Sequence, residues 1–164
     1  VAGGVFIVCQ HAIADPDVTW PELKHLVLEA LGKLGADHAQ LGLLSPQDIS
    51  VMEMLAQTYI LRFRLYSLEQ IMNEWMPNWA DTMFDLALTN NVGVDWFPAR
   101  KPRPPLDAWL LEDSIALLVL RTHRNPDMYQ HLVREAHRRE LPVVRIDPES
   151  LEARRVNPTK GSTP

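Results

Sequence analysis

The stretch from Asp113 to Asp147 leaves a chain like this little freedom. Ile115 to Leu120 is an unbroken apolar run without polar alternation, the mark of a strand buried on both faces. Further on, Met128, Leu132, Val133 and Ala136 fall on one helical face, while Arg134, His137, Arg138 and Arg139 fall largely elsewhere. Asn125 is expected to cap that helix, with Pro126 at its first position, where a missing N–H costs nothing. Val143 to Ile146 is a second apolar strand, and Pro142 suits its start. Strand, helix and strand in so short a span make a βαβ unit, with parallel strands and a right-handed crossover.

The opening of the chain repeats the pattern. Val5 to Gln10 reads as another strand, Leu23, Leu26, Val27, Ala30, Leu31 and Leu34 share one helical face, and Gly35 stops that helix. Gln40 to Leu44 is a short candidate strand. The expected fold is therefore α/β, a Rossmann-like three-layer domain with a mostly parallel sheet over residues 1–147. Ser45, Pro46 and Asp48 have the chemistry of a helix start. From there the region 45–76 reads as purely helical, an insertion, lid or interaction hairpin. A helix is expected over 79–89 and a strand over Val92 to Phe97. Pro98 to Pro105, with Arg100, Lys101 and Arg103, is expected to be an extended basic loop. A short helix from Leu106 to Leu111 leads back to the strand at Ile115. The sparse apolar content of 148–164 predicts a flexible tail.

Composition narrows the function. A net charge of −5 argues against a general nucleic-acid coat, which needs a dominant basic surface. The single cysteine, Cys9, excludes an intramolecular disulfide, and its apolar surroundings favour an inert buried thiol. No apolar run approaches the ~20 residues of a membrane helix. Nothing basic precedes the first strand, so no signal peptide is read there. A cytoplasmic protein with no membrane partner is expected.

In an open parallel sheet, ligands bind beyond the carboxyl ends of the strands. That rule singles out Gln10, His11, Asp15, Ser45, Asp48, Arg100, Arg121, Thr122, His123, Arg124, Asn125 and Asp147. The ligand-binding set is His11, Arg121, Thr122, His123, Arg124 and Asn125, where a strand end delivers cations to a helix start and suits an anion. The plainer reading makes Asn125 a cap, Thr122 a turn residue and the cations solvated. Two histidines without ligand spacing make a poor metal signal, so neither a metal nor a cofactor is expected. No GxGxxG or GxxxxGK[ST] loop occurs.

Three stretches carry a resemblance: Ala80-Asp81 followed by a helix and residues 93–99; the acid-led strand from Asp113 to Leu120; and Ala136 to Val144. On these, residues 78–147 resemble the SLOG superfamily, which includes the DNA-processing protein A family and the Lonely-guy phosphoribohydrolases. The resemblance implies nucleotide or nucleoside-phosphate binding. Where such families place a glycine-rich turn after the acid-led strand, this chain has Thr122-His-Arg-Asn-Pro. Three readings follow: a domain binding a nucleotide-like or other anionic small molecule; a regulatory module that meets a protein partner or a second copy through 45–76 or the 98–105 loop; and, third, nucleic-acid contact through that basic loop and Arg154-Arg155, which requires strongly salt-dependent binding.

Overall fold

The computed structural model describes residues 3–10, 20–66, 74, 77–78, 81–83, 85, 93–123 and 128–158. Seven strands form one sheet: β1 (Gly3–Cys9), β2 (Ala36–Leu41), β3 (Leu61–Leu65), β4 (Gly93–Trp96), β5 (Ser114–Leu120), β6 (Val143–Asp147) and β7 (Glu152–Arg155). The described helices are α1 (Trp20–Lys33), α2 (Gln47–Leu55), α3 (Leu106–Leu110) and α4 (Gln130–Arg138). The strand order is β4-β3-β2-β1-β5-β6-β7. Every pairing is parallel except β6 with β7.

The order follows from crossover handedness. From β1 the chain steps outward through β2 and β3 to β4, then returns past β1 to β5 and steps the other way. Right-handed crossovers in opposite directions must lie on opposite faces. Accordingly α1 and α2 bury Leu23, Val27, Leu31, Val51, Met52 and Leu55 against Ile7, Leu41, Phe63 and Leu118 on one face. On the other, α3 and α4 cover Phe6, Val8, Leu117, Val119 and Val143 with Trp109, Leu110, Leu132, Val133 and Ala136. The result is the Rossmann-like, three-layer α/β architecture that the apolar runs predict.

Two expectations need correction. The region 45–76 is not purely helical: α2 ends at Leu55, and Thr58 and Tyr59 close a turn on the Leu55 carbonyl. β3 follows, aligning Leu61 with Ala39 and Phe63 with Leu41. Leu61, Phe63 and Leu65 alternate with Arg62 and Arg64, a period of two that no helix would bury this way. Residues 67–73, 75 and 76 lie outside the described residues. Nor is 148–164 a free tail throughout. Glu152 to Arg155 pair with β6 in antiparallel register, so the backbone ladder holds a segment with little apolar content. The described part of α4 runs from Gln130, with Asn125 and Pro126 outside the described residues, and a smaller difference is that β2 runs from Ala36 rather than Gln40. Gly35 does end α1, with a left-handed φ of 75°.

Candidate functional site

The crevice rule selects the carboxyl ends of β1 and β5, the neighbours between which the strand order reverses. The two strands run side by side to Cys9 and Leu120, and Gln10 N–H then donates to the Leu120 carbonyl at 2.8 Å. Arg121 N–H donates to the Ile146 carbonyl at 3.0 Å, so the β1, β5 and β6 ends form one edge. His11, Asp15, Arg124 and Asn125 lie outside the described residues. Arg121 is half-buried on this edge and His123 exposed. Thr122 is buried between them, and its hydroxyl has no hydrogen-bond partner among the described residues.

His123 is brought to Asp147, the last residue of β6. The Asp147 Oδ2 accepts the His123 backbone N–H at 3.0 Å and lies 2.8 Å from its Nδ1. Oδ1 accepts from Glu149 N–H at 2.9 Å and from Ser150 N–H at 3.3 Å. Burial pushes this carboxyl up, but the His123 ring and the backbone N–H groups of Glu149, His123 and Ser150 outweigh it and hold it at about 2. An ionised carboxylate accepts from Nδ1–H, which leaves Nε2 of a neutral ring as an acceptor. The histidine is thus oriented, with its ring 65% exposed.

Beside it lies a cavity of about 370 Å³ lined by His123, Arg145, Asp147, Ser150, Glu152 and Arg154. Arg145 and Arg154 stand directly opposite each other in the β6–β7 register. Like charges in that position repel. Glu152 offsets part of this, meeting Arg154 Nη2 at 2.7 Å. In β6 the alternation sends Ile146 into the α1–α2 core and Val143 beneath α4, which puts Arg145 on the same face as Val143. Sequence reasoning placed neither arginine in this site. A lone cation inside the apolar run Val143 to Ile146 was the available signal for Arg145; Arg154 stood in a segment expected to be tail.

Ser45 and Asp48 work differently from the caps they resemble. Pro46 occupies the cap position of α2, with no side-chain cap. Asp48 is fully buried and accepts Cys9 N–H at 3.1 Å and Leu44 N–H at 2.9 Å, while Ser45 Oγ donates to the Cys9 carbonyl at 3.2 Å. These bonds staple the start of α2 to the end of β1. Burial drives the Asp48 carboxyl up to about 7 against the pull of the Leu44, Cys9 and Ser45 N–H groups. Burial also pushes up the Tyr129 phenol, with the Asp48 charge adding to it and the Ser45 hydroxyl opposing. Gln10 Oε1 accepts Met128 N–H at 3.2 Å, tying the end of β1 to the approach to α4. Cys9 is buried and unbridged.

The chain is thus an α/β protein of Rossmann-like architecture. It matches no protein-family model and no curated protein. Among the described residues, no helix is long and apolar enough to cross a membrane.

Proposed function

We propose that this protein binds a small anionic ligand, of the nucleotide-phosphate kind, at the carboxyl edge of β5 and β6. The observation that carries the reading is the facing pair Arg145 and Arg154 on the wall of a cavity that also holds the Asp147-oriented His123. An anion between two guanidinium groups converts their repulsion into charge-assisted hydrogen bonds. His123 Nε2 can add a further bond, as donor when the ring is protonated. The resemblance to the SLOG superfamily favours a nucleoside phosphate over a simple inorganic anion. The alternative, a partner-binding helical module over 45–76, loses support because β3 occupies part of that region and Met52 and Leu55 are core.

Isothermal titration with inorganic phosphate and a panel of nucleoside monophosphates tests this. A charge-assisted hydrogen bond contributes about 1.5–3 kcal/mol. The R145A/R154A double variant should therefore weaken binding by at least ~10-fold, and added salt should weaken it in the parent protein. Binding that ignores both changes, or no binding of any anion in the panel, removes the proposal.

A further inference from the structure

The second half of the β4-β3-β2-β1 side differs from the rest of the sheet. Its α1–α2 face is apolar, but on the opposite face β2 and β3 present His38, Gln40, Arg62 and Arg64, with Asp95 beside them on β4. Among the described residues no helix covers this half-face; α3 reaches it with Trp109, and Met83, from the β3–β4 connection, packs on the other side of the sheet. The groove encloses about 420 Å³ and has Trp96, Trp109, Glu112 and Asp113 at its margins. That volume is of the order that small-molecule sites use.

The polar face is built rather than merely uncovered. Ser114 Oγ donates to Gln40 Oε1 at 2.7 Å, and Gln40 Nε2 lies 3.2 Å from His38 Nε2, which makes that nitrogen the acceptor. The His38 Nδ1–H then points to Asp37. The Ser114–Gln40 bond spans from β5 to β2 across β1. It can do so because β1 carries Gly4 there: a Cβ at Gly4 would sit 2.8 Å from the Gln40 side chain and closer still to His38. On β4, Gly93 does the same for Arg62, whose Nε would lie 3.0 Å from an added Cβ.

Arg64 is the buried member. Its side chain is 9% exposed; Nη1 donates to the Trp109 carbonyl at 2.9 Å, and its Cζ lies 5.3 Å from the Trp109 ring centroid. Nη2 reaches Asp113 only at 3.5 Å, and Nε has no partner among the described residues. A guanidinium that lines the groove, anchored at one corner by the Trp109 carbonyl and with Nη2 only loosely engaged, is poised for an oxygen anion. Arg62 adds a second guanidinium, one without a hydrogen-bond partner among the described residues. Facing these donors are the carboxylates of Asp95, Glu112 and Asp113. A plain anion would meet repulsion from that rim, and a plain cation would meet the arginines.

We propose that this groove is a second ligand site, and that it takes a small zwitterion of the α-amino-acid type. The ligand carboxylate bonds Arg62 and Arg64, and its ammonium group faces Asp95 and Glu112. The proposal is independent of the anion site, which lies at the β5–β6 edge beyond β1.

Saturation-transfer NMR with a mixture of the common L-amino acids, and with acetate and methylamine as separate half-ligands, tests it. At least one amino acid should bind, and neither half-ligand should bind at the same concentration. Arg62 and Asp95 are both exposed, so R62Q and D95N should keep the parental Tm. Each should weaken amino-acid binding by ~10-fold or more, through loss of a charge-assisted contact. The R145A/R154A variant should bind amino acids as the parent does, which separates this test from the phosphate titration. The proposal is overturned if no amino acid binds, if acetate binds equally well, or if R62Q and D95N leave binding unchanged.

Discussion

Asp48→Asn should remove most of the loss of stability expected of the parent protein between pH 4 and pH 7. Asp48 is wholly enclosed, and its carboxyl has a pKa of about 7 in the fold against an ordinary value of 3.8. An acid with a raised folded pKa binds its proton more tightly in the native state than in the unfolded chain. Its contribution is therefore complete below pH 3.8 and is lost as the pH climbs through about 7. At about 1.4 kcal/mol per pH unit, that window corresponds to a loss on the order of 4 kcal/mol. Asp147 acts in the opposite sense and in a different range: its lowered pKa stabilises the fold above pH 3.8 and that contribution is lost as the pH falls through about 2. It leaves the pH 4–7 window clear. Asparagine keeps the volume but offers one acceptor oxygen where Cys9 N–H and Leu44 N–H now find two. The variant should consequently be less stable than the parent at pH 4, by about 1–3 kcal/mol. By pH 8 the gap should close or reverse. Urea denaturation of both proteins at several pH values measures this directly; parallel stability curves would show that Asp48 does not titrate in the window.

What was legible in the sequence follows from how each element is stabilised. β1 and β5 are covered on both faces, so their apolar runs have no competing reading, and their parallel adjacency follows from the crossovers between them. β3 has the opposite character. Its outward arginines interrupt the run, and five residues of alternation beside a helical segment are easily absorbed into the helix. β7 has no hydrophobic signal, because an edge strand of exposed residues is held by its backbone ladder alone. The site divides along the same line. His123 and Asp147 were visible from their places just past apolar strands. Arg154 depends on a pairing between β6 and β7 that no local pattern announces. Ser45 and Asp48 looked like caps because capping is local, whereas their partner Cys9 is 36 and 39 residues away. The polar groove was hidden for the same reason: Gln40 and Ser114 are 74 residues apart, and the glycine between them does its work by being empty.

The strand assigned to Leu61–Leu65 makes a sharp demand on neighbouring positions. Phe63 is fully buried among Leu41, Leu61 and Leu65 against α2, while Arg62 beside it is exposed. Phe63→Ala removes the ring from a packed core and leaves a cavity, which costs about 3–5 kcal/mol. For a domain of this size each kcal/mol lowers Tm by about 2–4 °C, so the variant should melt on the order of 10 °C lower. Arg62→Ala, one position away, should stay within about 0.5 kcal/mol of the parent, since its exposed guanidinium makes no hydrogen bond or ion pair among the described residues. Leu61→Ala and Leu65→Ala should again be costly, by about 2–5 kcal/mol each. Thermal unfolding of the four variants should therefore give a high-low-high alternation from 61 to 63, with the cost high again at 65. A helix through the same residues would spread the cost with a period near 3.6 and would not set Phe63 and Arg62 so far apart. Equal effects at 61, 62 and 63 would contradict the strand, and with it the placement of Arg62 and Arg64 on the floor of the groove.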